Sequence, residues 1–207
     1  YSIEYKIVNC PDYGVPQHRR RLVLLASRFG KIDLIPPLYD EEHYITVRDA
    51  IGHLQPIEAG EICINDSLHR SSALSEINIE RIRQSVPGGT WRDWDENLKL
   101  RCHRKASGAT FPSVYGRMEW DRPSPTMTTQ FYGYGNGRFG HPEQDRAISL
   151  REGAILQSFP EDYIFADEQH PVKKRELGTH IGNAVPVELG RAIGISIQEH
   201  LKEMEVN

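Results

Sequence analysis

The sequence predicts an α/β fold in which two N-terminal strands pack with one long helix at the C-terminus. Ile3, Tyr5 and Ile7 alternate with charged residues, which is the pattern of a strand. The apolar run 22–26 predicts a second strand, of the kind that is buried on both faces. Pro186 suits the first turn of a helix, where its missing N–H is harmless. A buried helical stripe follows it, at Leu189, Ala192, Ile193, Ile197 and Leu201.

The middle of the chain predicts short helices separated by loops. Residues 46–49 contain a Thr and an Asp that cap the start of one helix. A second helix is predicted over 76–86, where a Pro-Gly-Gly sequence stops it. A capping box opens a third helix over 149–160. The Pro-, Gly- and Thr-rich stretch 108–141 predicts loops and short strands.

Composition limits the class of protein. The chain has 207 residues, 38% of them hydrophobic and 26% charged, which is typical of one large or two small soluble domains. No apolar run approaches the ~20 residues of a membrane span. The three cysteines, Cys10, Cys63 and Cys102, lack the spacing of metal ligands. We therefore expect no metal and no membrane, and a reduced cytoplasmic location, associated with the nucleoid if the source is bacterial.

Cationic residues are clustered although the net charge is −4. Residues 17–31 contain five cations and no acid, and residues 98–118 have the same composition. Phosphate binding depends on the local charge of a surface and not on the total. The second cluster is either a nucleic-acid contact or a solvated surface, and its cations are Lys99, Arg101, Arg104, Lys105 and Arg117.

Three polar residues lead into the second strand. If that strand begins at Gln17, the side chains of Gln17, Arg19 and Arg21 share one face, and those of His18 and Arg20 share the other. Two guanidinium groups and an amide suit an anionic or carbonyl-rich ligand, such as a phosphate or the edge of a base. The alternative is a solvated strand end whose arginines pair with surface carboxylates.

Four pieces of the chain, in this order, resemble the C-terminal half of the DNA (cytosine-5) methyltransferase family. The Pro-Gln-His-Arg-Arg-Arg sequence at 16–21 is similar to motif VIII of that family. Residues 115–129 resemble the end of its target-recognition region, and 146–160 resemble motif IX. The Gly-Asn-Ala-Val sequence at 182–185 is similar to motif X. The resemblance spans nearly the whole chain.

The resemblance implies an architecture. Residues 1–35 would end the large, Rossmann-like domain of an S-adenosylmethionine-dependent methyltransferase. Residues 36–177 would form an inserted, small, loop-rich target-recognition domain. Residues 178–207 would return to the large domain with motif X and the last helix. The family's Gly-rich cofactor turn, Pro-Cys nucleophile and Glu-Asn pair are not in this sequence. We therefore expect a part of a larger enzyme that is inactive without its N-terminal half.

The resemblance also implies roles. Arg21 would contact O2 of a flipped cytosine, Arg19 would hold a nearby phosphate or the catalytic loop, and Gln17 would support the polar network around them. Double-stranded DNA would be bound by the cations of 98–118 and by Thr126 or Thr128. The cofactor S-adenosylmethionine would be held by motif X, at Gly182, Asn183 and Ala184.

Two other readings fit the same motifs. One is an RNA-directed cytosine-5 methyltransferase of the same family. The other is a non-catalytic DNA-binding module that kept these motifs without a catalytic half. Methyl incorporation into duplex DNA and into transfer RNA separates the first from a DNA enzyme.

Overall fold

The structure is a computed structural model that describes residues 1–167 and 169–205, without the side chains of residues 109 and 205. Strand β1 (Ser2–Asn9) and strand β2 (Arg20–Ser27) form an antiparallel pair, in which Val8 lies opposite Arg21. A 3-10 turn at Cys10–Tyr13 and the left-handed Gly14 (φ 82°) connect them. The second strand therefore begins at Arg20. The start at Gln17, on which the shared face of Gln17, Arg19 and Arg21 depended, is not observed.

The two faces of this sheet differ. On the inner face, Val23 and Leu25 are buried against the long helix α5 (Val187–Glu205). On the outer face, Leu22 and Leu24 are 64% and 58% exposed. The prediction of burial on both faces is wrong for this chain, because no described segment covers the outer face. Other apolar side chains exposed on that face are those of Ile3, Tyr5 and Ile7.

Helix α5 confirms the predicted stripe only in its first half. Leu189 and Ala192 pack in the core beside the sheet, whereas Ile197 and Leu201 are exposed. The buried row continues instead through Ser196 and His200, whose side chains bond to the backbone of Ile35 and to Ser27. We call residues 1–35 together with α5 the terminal body.

Residues 36–183, which we call the lobe, contain the remaining regular elements. The capping boxes at Thr46 and Ser149 are both confirmed. The predicted second helix ends two residues early, because Ser85 is extended. Two elements of the lobe were not predicted from the sequence: a short two-stranded hairpin, and the helix that precedes α5. The elements are α1 (Val47–Ile51), β3 (Ile62–Cys63), β4 (Asp66–Arg70), α2 (Glu76–Gln84), α3 (Leu150–Leu156) and α4 (Lys174–Asn183).

The described residues form three hydrophobic clusters. The terminal body has one, and the lobe has a large one that includes Phe131, Leu150 and Ile181. A smaller aromatic cluster in the lobe contains Trp91 and Trp94. Helix α4 thus packs in the lobe and α5 packs in the terminal body, on either side of residues 184–186. The exact domain boundaries remain a prediction.

Within the described residues, no helix is both long and apolar enough to cross a membrane. The same residues contain no group of three or more His, Cys, Asp or Glu side chains arranged to hold a metal ion.

Candidate functional site

Gln17 is fully buried where the terminal body meets the lobe. Its Nε2 donates to the backbone oxygen of Leu156 (3.0 Å) and to Oε1 of Gln157 (3.1 Å). Its Oε1 accepts from the backbone N–H of Met127 (2.9 Å). The turn before β2 brings Gln17 there, and a parallel bridge to Ser124 holds it. Gln17 therefore fastens the start of β2 to the lobe.

Gln157 extends this connection to α4, and the sequence analysis did not identify it. It is buried, and its Nε2 donates to the backbone oxygens of Ile181 (2.7 Å) and Gly182 (3.3 Å). The only signal in the sequence was that Gln157 directly follows the apolar residues 154–156. A buried amide normally requires hydrogen-bond partners, and here they come from the turn before β2 and from α4.

Arg19 lies in the same place. Its burial conflicts with one of its two predicted roles, that of holding a DNA phosphate. Its Nη1 donates to the backbone oxygen of Met127 (3.0 Å) and its Nη2 to that of Gly182 (3.4 Å). The side chain is buried, and its Nε has no hydrogen-bond partner among the described residues. Burial, together with the nearby Arg21, lowers the pKa of Arg19. This position does not offer the guanidinium to a DNA phosphate. Arg19 instead holds three segments together.

We call Gln17, Arg19, Met127, Gln157 and Gly182 the polar joint. It brings together residues from the four pieces of sequence that resemble motifs VIII, IX and X and the end of the target-recognition region.

Arg21 is the member of the predicted array that stays accessible. It is half-buried, and its Nη1 donates to the backbone oxygen of Arg20 (2.7 Å). Burial raises the pKa of the neighbouring Cys10, while Arg21 and Arg19 act in the opposite direction. His18 and Arg20 are exposed, as the alternation predicted.

Thr126 and Thr128 lie beside the polar joint, and both are exposed. Thr126 Oγ1 donates to the backbone oxygen of His18 (2.5 Å). Thr128 Oγ1 accepts from the backbone N–H of Gln130 (3.4 Å). The structure therefore brings the two threonines close to the strand end that carries the arginines.

The three motif X residues have different surroundings. A Cβ at Gly182 would lie 2.2 Å from the backbone oxygen of Thr128, so this glycine allows a close approach between two parts of the chain. The close approach at Gly182 is therefore to Thr128, whereas the prediction placed it at the cofactor. Asn183 is exposed at the end of α4, and Ala184 is partly buried. Among the described residues, the Asn183 amide makes no hydrogen bond and is available to a ligand.

The basic segment 99–105 is anchored through its histidine. The His103 ring stacks on Trp91 with centroids 4.2 Å apart. Burial and Arg81 lower the pKa of His103. Lys99 pairs with Glu96 at 2.7 Å. Arg104 donates to the backbone oxygen of that residue, whereas Arg101 and Lys105 are exposed. The predicted DNA surface thus keeps fewer free cations than the sequence indicated.

Arg117 is not part of that surface. Its side chain is buried and forms an ion pair with Asp145. A buried guanidinium whose three nitrogens all donate to groups inside the lobe cannot reach a phosphate, so the predicted DNA contact of Arg117 is wrong. Its remaining N–H groups donate to the backbone oxygens of Ile82, Ser85, His141 and Gln144.

A second buried network supports α3. Glu152 caps the helix through the Ser149 N–H and makes two 2.7 Å hydrogen bonds with Arg146. Burial raises the pKa of Glu152, but the bonds and charge of Arg146 outweigh it and bring the pKa to about 2. Burial lowers the pKa of the neighbouring His141 to about 4. These groups are structural, as is the ion pair between Arg151 and Asp66 (2.6 Å).

Comparison with known proteins identifies the family of this chain. Residues 1–199 match the family model of the C-5 cytosine-specific DNA methylases. The chain belongs to this family. The C-5 cytosine methylase match includes all members of the polar joint.

Curated relatives agree with this assignment. The chain is 56% identical over 202 residues to the Type II methylase M.HgiDII of Herpetosiphon aurantiacus, covering 98% of this chain and 57% of that protein. It is 34% identical over 201 residues to the Type II methyltransferase M1.HphI of Haemophilus parahaemolyticus, covering 95% of this chain and 48% of that protein. The chain thus spans about half the length of these relatives.

A solved structure shows the same fold. It is described as a DNA modification methyltransferase encoded within a prophage of E. coli, and it matches with a TM-score of 0.67 at 21% identity. The match covers 98% of this chain and 61% of that one. The fold of this C-5 cytosine methylase chain is therefore a methyltransferase fold.

Proposed function

We propose that this chain is the C-terminal part of a DNA cytosine-5 methyltransferase and forms one wall of its active site. The polar joint is the observation that carries the proposal. It joins segments that are 110 and 163 positions apart in sequence at the start of the strand that carries Arg21. The family match over residues 1–199 supports the same reaction class.

In this reaction a thiolate adds to C6 of a flipped cytosine, and electron density moves onto N3 and O2 of the ring. Arg21, half-buried at the strand end, is proposed to donate to O2. A fixed cationic donor there stabilises the charge that develops in the transition state. Arg19 acts as a positioning residue, since its hydrogen bonds to the lobe fix the start of β2. The thiolate would come from outside this chain.

S-adenosylmethionine supplies the methyl group when it is bound. Asn183 fits a place in its site, because its amide is exposed and has no partner among the described residues. Gly182 does not fit one, because Thr128 covers it and its carbonyl accepts from Arg19 and Gln157. We therefore assign the cofactor contact to Asn183.

The outer face of the β1–β2 sheet is proposed to receive the rest of the catalytic domain. Leu22 and Leu24 belong to a contiguous apolar surface of a kind that usually marks an interface. The missing N-terminal half, in the same chain or in a separate subunit, would add further strands and the nucleophile. The 207-residue chain alone is then expected to transfer no methyl groups.

The test compares Arg21→Ala with Arg20→Ala in the complete enzyme. Arg20 carries the same charge one position away and is exposed on the other face, so it is a matched control. Arg21→Ala is expected to lower kcat by about 100-fold or more, with a small change in DNA affinity. Methyl incorporation from labelled S-adenosylmethionine is measured on duplex DNA and on transfer RNA. Preference for transfer RNA supports the RNA-directed reading instead. An unchanged kcat excludes the role of Arg21.

A further inference from the structure

The outward side of α4 carries cations that the proposed active site does not use. Its inward side approaches the segment 128–132 closely through two glycines. A Cβ on Gly178 would lie 2.2 Å from the ring of Tyr132, and one on Gly182 would lie 2.2 Å from the backbone oxygen of Thr128. Helix α4 therefore runs antiparallel to 128–132, with residue 182 beside 128 and residue 178 beside 132.

Helical geometry then fixes which side chains border that segment. Residues four apart lie above one another, so Arg175, Thr179 and Asn183 form a row next to the glycine row. On the opposite side of the glycines, Leu177 and Ile181 pack in the lobe core. The row that begins at Arg175 therefore borders the segment 128–132 on its solvent side, where Thr128 and Gln130 are exposed.

The charge of this surface is positive and only weakly compensated. Arg175 is exposed and forms no ion pair with any residue that the structure describes. Lys173 pairs with Glu176 at 3.6 Å, and both side chains are more than half exposed. Such a pair contributes little and readily exchanges its partner. An open groove of 450 Å³, which we call the α4 groove, is lined by Lys173, Arg175, Glu176, Thr179 and His180.

We propose that the α4 groove binds a backbone phosphate of the DNA strand that carries the target cytosine. The inference rests on the proposed function, because Thr126 or Thr128 is expected to touch the backbone beside the flipped base and the Arg175 row borders Thr128. A guanidinium fork binds two phosphate oxygens at once, and a lysine adds a point charge. Arg175 is the principal contact and Lys173 the second.

The experiment measures binding of the complete enzyme to a fluorescein-labelled random-sequence duplex over a range of salt concentrations. Each lost phosphate contact lowers the slope of log Kd against log salt by about 0.9. Arg175→Gln is expected to lose about one unit of slope, and Lys173→Gln with Arg175→Gln about two. Lys202→Gln, which removes an exposed charge from α5, is the matched control and should keep the wild-type slope.

Two further variants keep the result interpretable. Arg175→Lys retains the charge and should retain the slope, while Arg175→Glu should bind more weakly than Arg175→Gln. All of these changes fall at exposed positions, so wild-type melting temperatures are expected. If Arg175→Gln keeps the wild-type slope, or Lys202→Gln loses as much, the α4 groove is not a DNA contact even though the wild-type enzyme methylates DNA. If the wild-type enzyme neither binds nor methylates duplex DNA, the proposed function itself fails.

Discussion

The lobe and the terminal body differ in how completely they cover their apolar residues. In the lobe, Phe131, Ile148 and Leu156 are fully buried within one cluster built from α1, α3, α4 and the intervening loops. In the terminal body, α5 covers one face of the sheet, and Leu22 and Leu24 remain exposed on the other. A sheet with two apolar faces needs a layer on each. The main cluster of the lobe is thus enclosed by described residues, whereas no described segment covers the outer face of the terminal-body sheet.

The largest expected effect comes from breaking the polar centre of the lobe. Glu152→Ala leaves the buried Arg146 without its carboxylate and is expected to cost about 3–5 kcal/mol of unfolding free energy. Urea unfolding followed by tryptophan fluorescence measures it, because Trp91, Trp94 and Trp120 all lie in the lobe. Glu176→Ala, which breaks an exposed pair, should cost less than about 1 kcal/mol. Equal losses in the two variants contradict the prediction.

Acid should destabilise the lobe through the same network. Burial holds the pKa of His141 at about 4, below its usual value of 6.5, so the unfolded chain takes up this proton first as the pH falls. Unfolding free energy is therefore lost between about pH 6.5 and 4, by roughly 3 kcal/mol. Glu152, with a pKa of about 2 against 4.5, continues the loss below pH 4.5. Urea unfolding at a series of pH values checks this, and His141→Gln should flatten the upper part of the profile.

The polar joint offers a way to separate the two regions. Gln157→Ala removes the hydrogen bonds that join Gln157 to the Gln17 amide and to the Ile181 carbonyl, which costs about 1–3 kcal/mol. We expect lobe fluorescence and far-ultraviolet circular dichroism to lose their common midpoint, because the joint connects the regions. Gln130→Ala, at an exposed position, should leave both curves unchanged. Coincident, unshifted transitions in Gln157→Ala exclude this role of the joint.

The smallest expected effect falls on the uncovered sheet face. Leu24→Ala should change the unfolding free energy of the 207-residue chain by less than about 0.5 kcal/mol, because its side chain is already in solvent. Its neighbour Leu25 points inward, and Leu25→Ala should cost about 2–5 kcal/mol. Thermal melting of both variants gives the comparison. A large loss for Leu24→Ala would mean that something in this chain covers the outer face.

Local patterns predicted the features that depend on neighbouring residues. The caps at Thr46 and Ser149 follow from side chains three positions apart, and the exposure of His18 and Arg20 follows from strand alternation. Helix α4 did not follow from its sequence, because Gly178 and Gly182 lower its helix propensity. Both glycines are needed for tertiary contacts with Tyr132 and Thr128, which no local pattern contains.

The candidate site was predictable in its membership more than in its geometry. Motif order identified Gln17, Arg19 and Gly182, which the structure joins through hydrogen bonds. It did not reveal that Arg19 faces backbone carbonyls. Nor did it show that Arg117 is enclosed by distant segments. Whether an arginine faces solvent or carbonyls depends on segments tens of residues away, so composition alone cannot decide it.

The polar joint has a consequence for how such chains diverge. The side chains of the polar joint bond to backbone groups of the lobe at residues 127, 156, 181 and 182. These side chains are Gln17, Arg19 and Gln157. These hydrogen bonds therefore depend on the path of the main chain at those four residues, and not on which side chains those residues carry. Substitutions elsewhere in the lobe leave it intact as long as that path is kept. The sequence of the lobe can therefore diverge while the lobe stays docked on the terminal body in the same way.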